Sequence, residues 1–285
     1  MNKQIQKQVI GFSLAILSAA ATAASPGAFT TFEAAGPSTA DVTAARNDFR
    51  DAIGGGNTPA ANGSFGGVRR EINWDGVPNA RADAAFLPNN FFNVNSPRGA
   101  VFSTPGDGFM VSANAGQPAA TMFGFSDALQ AFSPQRIFTA VNSNITDIHF
   151  FFAGTNDVAA TSAFGVIFTG VEDDGQTKME FFDAQGSLIY QQNAMVSGNA
   201  GFSFLGAVAS GGNVISRVRL TSGLATIASN GVLGQAHGDL VAMDDFIYAE
   251  PSTVAAVPEP SSYALMAAGL MCVVGMRRRR ASAQT

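Results

Sequence analysis

The punctuation between residues 99 and 250 constrains this chain more than any other feature. Short runs rich in Phe, Val and Ile alternate there with Gly, Asn and Asp: RGAVFST, DGFMVSA, QRIFTAV, ITDIHFFF, SAFGVIFTGV, TKMEFFD, SLIYQQ, GFSFLGAV, VISRVRL, LATIAS and LVAMDDFIYAE. About ten strands at this spacing, with no helix between them, predict a mainly β fold, an antiparallel β-sandwich. Lys178 to Phe181 alternates polar and apolar, and the turn Asp183-Ala184-Gln185-Gly186 leads back into Ser187 to Gln192, which predicts a hairpin. In VISRVRL a period of two places Val214, Ser216, Val218 and Leu220 on one face and Ile215, Arg217 and Arg219 on the other. With 24 phenylalanines against three tyrosines and one tryptophan, most aromatic mass has no hydrogen-bonding tip and suits a core better than a sugar platform.

Upstream, TTFEA predicts a first strand. Ser38 can N-cap a helix, with Asp41 three residues on as in a capping box; Val42, Ala45, Phe49 and Ile53 recur at helical spacing, and Gly54 supplies a stop. The spacing predicts one amphipathic helix over 39–53. Residues 54–98 are expected to be irregular and loop-rich, with Trp74, Phe86, Phe91 and Phe92 packed on the core.

The two ends have a different character. Lys3 and Lys7 precede an uncharged run, IGFSLAILSAAATAA, whose small residues fit an Ala-x-Ala cleavage site at Ala21 and Ala23. A signal peptide over 1–23 is expected, engaging the export translocon and signal peptidase. Near the other end Val257-Pro258-Glu259-Pro260 precedes the uncharged stretch Ala264 to Met276 and then Arg277, Arg278, Arg279 and Arg280. At about 1.5 Å per helical residue that stretch spans only about 20 Å, short of a hydrocarbon core near 30 Å. It predicts a short transmembrane-like helix that inserts transiently in the inner membrane, with its arginines held in the cytoplasm. The body is then 24–250, with a linker over 251–257 and a tail over 258–285.

Charge and cysteine usage exclude several functions. Six of the 16 basic residues lie in the two end segments, which leaves ten against 20 of the 21 acidic residues, Glu259 lying in the tail. Such a body repels nucleic acid, whose recognition needs Lys and Arg on phosphates. The single cysteine, Cys272, lies in the tail, so the body has no disulfide and no Cys-rich zinc site. His149 and His237 sit in separate segments. There is no Gly-x-Ser-x-Gly elbow, His-Glu-x-x-His helix, Walker loop or dinucleotide fingerprint, which favours a non-enzymatic protein. The alternative is a polysaccharide-active hydrolase or lyase with two carboxylates distant in sequence, for example Glu180 with Asp147. Glu172-Asp173-Asp174-Gly175 suits a solvated turn and lacks the spacing of an EF-hand loop.

The last body strand, LVAMDDFIY, is apolar on both faces, and strict alternation separates Asp244, with Phe246 and Tyr248, from Asp245, with Met243 and Ile247. A carboxylate pointing inward has to bond backbone N–H groups, pair with a cation, shift its pKa or bind metal. Another possibility is that the pair ends the strand against Arg217 or Arg219.

Two resemblances add to this reading. Val257-Pro258-Glu259-Pro260, the short apolar run and the cluster Arg277 to Arg280 resemble the PEP-CTERM sorting signal of Gram-negative bacteria. That resemblance implies recognition and cleavage by exosortase, export across the inner membrane, and a cell-surface, outer-envelope or biofilm-matrix destination with exopolysaccharide as a partner. The series FGVIF, EFFDAQG, FLG, ISRVRL and MDDFIY resembles secreted jelly-roll domains, including carbohydrate-binding modules. It implies a jelly-roll-like sandwich and a structural Ca²⁺ held by Glu33 and Asp244 or Asp245.

Overall fold

In the computed structural model, which describes residues 28–56, 63–228, 233–235 and 238–254, every strand-forming run contains a strand and the body is mainly β, built on two sheets. The chain enters through β1 (Phe29–Gly36) and turns into α1 (Thr39–Ile53). The helix starts where the capping box sits: the Asp41 carboxylate accepts from the Ser38 N–H at 2.9 Å and from its hydroxyl at 2.7 Å. It stops at Gly54, whose φ of 97° an L side chain would resist.

Two short strands follow, β2 (Ser64–Phe65) and β3 (Arg69–Ile72), then the one-turn helix α2 (Phe91–Val94). The remaining strands are β4 (Ala100–Ser103), β5 (Gly108–Val111), β6 (Phe138–Val141), β7 (Ile145–Phe150), β8 (Ala163–Thr169), β9 (Lys178–Phe182) and β10 (Leu188–Asn193). They continue with β11 (Phe202–Ala209), β12 (Arg217–Thr221), β13 (Thr226–Ile227), β14 (Leu233–Gln235) and β15 (Ala242–Ala249). The larger sheet runs β1-β11-β8-β15-β6-β13-β14, with β3 also on β15, β2 on β3 and β5 on β6; the smaller runs β10-β9-β12-β7-β4. Among the described residues every pairing is antiparallel except β13 with β6.

Three layers result. Between the sheets lies an aromatic core that includes Phe102, Phe138, Phe164, Phe181 and Phe246. The Trp74 indole lies inside it, stacked on Phe138 at 4.0 Å and 1°. On the opposite face of the larger sheet α1 buries Val42 and Phe49 against Ile167, Phe204 and Ile247. β8, β11 and β15 are therefore covered on both sides, so apart from the Asp244-Asp245 pair of β15 they are largely apolar on both faces instead of alternating. β12 and β9 have one wet face, so they alternate.

The 183–186 hairpin forms as expected: Asp183 Oδ1 accepts the N–H groups of Gln185 (2.9 Å) and Ser187 (2.8 Å). In VISRVRL the strand begins only at Arg217, with Val218 and Leu220 inward; Ile215, which lies before the strand, turns into the core.

The stretch 54–98 is more ordered than its composition suggests. Arg69-Arg70-Glu71-Ile72 has the composition of a loop, yet β3 pairs with β15 along its length. The strand is possible because each charge is matched. Arg69, 1% exposed, donates Nε to Glu71 at 2.8 Å and Nη1 to the Gly54 carbonyl at 2.6 Å, with its guanidinium 4.2 Å over the Phe65 ring. Arg70 grips Glu250 with two bonds of 2.6 and 2.7 Å. Trp74, Phe91 and Phe92 are buried as expected, whereas Phe86 is 42% exposed.

Among the described residues no helix is long and apolar enough to cross a membrane. The signal segment with Ala21 and Ala23, the tail with its expected transmembrane-like helix, Cys272 and His237 lie outside the described residues.

Candidate functional site

The outer face of the five-stranded sheet gathers polar side chains that sit far apart in sequence. Gln191 pairs with Glu180, Glu180 with Arg219, Arg219 with Asp147, and Asp147 with Ser103, so one row crosses all five strands. At about 4.8 Å per strand it is about 19 Å long. The adjacent row carries Phe182, Arg217 and His149.

Asp147 organises this face. Its Oδ1 and Oδ2 accept from Arg219 Nε and Nη2 at 2.9 and 2.7 Å, and Oδ1 accepts from Arg217 Nη1 at 2.8 Å. Burial opposes ionisation of this carboxyl, but the two guanidiniums outweigh it and hold Asp147 below the usual carboxylate range. Arg217 is further fixed 3.7 Å over the Phe182 ring. Burial pushes the His149 imidazole down, and its Nε2 lies 3.2 Å from the Ser103 hydroxyl. Each guanidinium carries five N–H donors, and the contacts to Asp147 occupy only some of them. The face is a preset array of outward donors, with Glu180 and Gln191 as acceptors.

The same row holds the two carboxylates singled out as a possible hydrolytic pair. Asp147 and Glu180 sit two strands apart, about 9.6 Å between backbones, with Arg219 between them. The Arg219 guanidinium is bonded to Asp147, which keeps that carboxyl ionised rather than ready to act as a general acid.

The acidic pair of the last strand lies elsewhere. In β15 Met243 opposes Phe168 and Phe246 opposes Val166, so three steps on one strand match two on the other. This is a β-bulge. Met243 and Phe246 both face the inter-sheet core, which puts Asp244 and Asp245 together on the helix side rather than on opposite faces. Asp244, fully buried, accepts from the N–H groups of Phe132 (2.6 Å) and Ser133 (3.1 Å) and from the Ser133 hydroxyl (3.0 Å). Asp245 lies 3.7 Å from Arg46 of α1. Beside it Arg50 holds Glu71 through bonds of 2.8 and 2.6 Å. Of the roles open to an inward carboxylate, one Asp bonds backbone and the other meets a cation. That cation is Arg46; Arg217 and Arg219 belong to Asp147 on the other sheet.

Burial, with Asp245 adding repulsion, pushes Asp244 well above the ordinary carboxylate range. Burial raises Asp245 to about 6, against the attraction of Arg46 and Arg50. The two groups titrate as a pair.

Glu33 does not join them. It opposes Leu205 on β11, and β11 and β8 separate β1 from β15, a gap of about 14 Å. Its carboxylate instead accepts from Gln192 Nε2 at 3.2 Å. Among the described residues no three His, Cys, Asp or Glu side chains converge as a metal-binding group. The bulge is braced by hydrogen bonds and Arg46, so a chelator is expected to leave the melting temperature unchanged; a fall on adding EDTA would assign the bracing to a metal. Glu172, Asp173 and Asp174 form an exposed turn. Buried Asp239 accepts the N–H groups of Glu172 and Asp173 at 3.1 and 3.2 Å. Nothing in the sequence around Asp239 signals that role.

Comparison with known proteins settles the tail. Residues 256–280 match the family model of the PEP-CTERM protein-sorting motif. The chain carries an exosortase sorting signal. The PEP-CTERM match includes Val257 to Pro260 and the four arginines, all outside the described residues. The PEP-CTERM motif implies exosortase as the processing partner, with export and a cell-surface location in Gram-negative bacteria. No curated protein and no solved structure is detectably similar to the chain.

Proposed function

We propose that the body is a non-enzymatic, jelly-roll-like module that binds exopolysaccharide in the biofilm matrix along the outer face of the five-stranded sheet. The observation that carries this reading is the five-strand polar row, whose guanidiniums are fixed before any ligand arrives. Preset donors avoid the side-chain ordering cost of binding, and a row of about 19 Å suits an extended chain of hydroxylated rings. The motif's exosortase destination supplies the setting. A calcium ion that braces the fold would not join Glu33 to the acidic bulge, because two strands separate them.

The test is affinity electrophoresis against the producer's own exopolysaccharide. Arg219→Ala and Arg217→Ala are each expected to weaken retention roughly tenfold, the scale of about 1.4 kcal/mol. Retention that survives both changes would remove the sheet face from the proposal. Release of reducing ends from the same polysaccharide, abolished by Glu180→Gln, would establish the hydrolase reading instead.

A further inference from the structure

A cavity among the described residues shares no residue with the polar row. This cavity, of about 240 Å³, lies between the turn after β3 (Asn73, Gly76, Pro78) and the segment from α2 to Arg98. Its inner wall includes Trp74 and Phe92, both buried. Trp74 has a φ of 65°, the left-handed region that a bulky side chain avoids. Stacking on Phe138 and an Nε1 bond to the Asp244 carbonyl at 3.2 Å hold it there. Strain of this kind persists where the surroundings over-determine it, and it concentrates at binding sites.

Arg98 supplies the chemistry. Its Nε donates to the Glu71 carbonyl at 2.9 Å, and its Nη1 donates to the carbonyl and hydroxyl of Ser96. The guanidinium lies 5.3 Å over the Phe92 ring. All these partners are neutral. Arg50, Arg69, Arg70, Arg217 and Arg219 each meet a carboxylate, but among the described residues no carboxylate lies within ion-pair distance of Arg98. A half-buried guanidinium stays charged, and leaving it unmatched beside a cavity is costly. Nη2, which lies beside Gly63, makes no hydrogen bond among the described residues, so the guanidinium that helps line the cavity keeps an unused donor.

We propose that this cavity binds a small carboxylate-bearing sugar, a uronic acid, with its carboxylate on Arg98 and its hydroxyls against the side chains of Asn73, Asn95 and Ser96. The cavity has room for roughly eight waters at about 30 Å³ each, the scale of one sugar ring rather than a chain. The unmatched cation selects the anionic sugar over the neutral one. The inference stands apart from the sheet-face reading, because each rests on its own residues.

Calorimetric titration of the full chain with glucuronate, glucose, acetate and inorganic phosphate tests it. Glucuronate is expected to bind at least tenfold more tightly than the other three. A side chain at Gly76 would meet open space at the cavity mouth, since a Cβ there has no atom within 4 Å. Gly76→Phe should therefore block the cavity, and Asn95→Asp should repel the carboxylate, each costing at least tenfold in affinity with the melting temperature unchanged. A uronic acid trisaccharide that binds more tightly than glucuronate assigns the site to chain ends, and equal binding assigns it to the free sugar; both support the proposal. Equal binding of glucose, phosphate binding as tight as glucuronate, or full affinity in both variants would overturn it.

Discussion

Phe49→Ala is expected to cost about 3–5 kcal/mol of stability, the range for losing a large ring from a packed core, and to release helix α1 from the larger sheet. Phe49 is fully buried and meets Phe32 and Phe204 at centroid distances of 5.7 and 5.6 Å. The sheet receives it in a slot made by two cross-strand partners, Gly165 on β8 and Gly206 on β11. A Cβ on Gly165 would stand 2.7 Å from the ring, and one on Gly206 would stand 3.0 Å from it. Gly165→Ala should therefore cost about 1–3 kcal/mol through overpacking. In a Phe49→Ala background the same change should cost less, because the nearer of the two rings it strikes is gone and only Phe204, 3.2 Å away, remains. Denaturant unfolding of the four proteins reads the coupling. A Gly165→Ala penalty that is the same in both backgrounds would sink the slot account.

The second large effect is a loss of stability as pH rises. In the unfolded chain Asp245 gives up its proton near 3.8, whereas burial in the bulge keeps it to about 6. Over that window the native state holds more protons than the unfolded one, so stability falls as pH climbs and the full penalty is present above pH 6. Asp244 is raised as well, which extends the fall upward in pH. Asp147 acts in the opposite sense: its lowered pKa contributes stability above about 3.8 that disappears in acid. The melting temperature should accordingly drop between pH 5 and 7.5. Asp245→Asn should recover on the order of 3 kcal/mol at pH 7.5 and be neutral at pH 4. A wild-type melting temperature that rises from pH 5 to 7.5 would contradict this.

Much of the architecture was legible because it rests on local rules. Helix 39–53 carries its own cap, periodicity and stop, and its observed bounds are Thr39–Ile53. Each strand is a run whose neighbours cannot extend it. β3 escaped notice because its two arginines look like a loop until Glu71 and Glu250, the latter 180 positions from Arg70, neutralise them. The bulge escaped because a period-two reading has no means of placing one extra residue.

The sequence by itself determined the sorting signal and the mainly β character of the body. The PEP-CTERM tail is a linear signal, matched over 256–280, and strand spacing follows from side chains acting within a few residues. Tertiary structure alone decided which charges meet. It set Asp147 between Arg217 and Arg219, separated Glu33 from the acidic bulge by two strands, and left Arg98 without a carboxylate beside a cavity. The physical reason is one of range. Hydrogen bonds and ion pairs act over a few ångströms, and only the pairing of strands distant in sequence brings such groups that close.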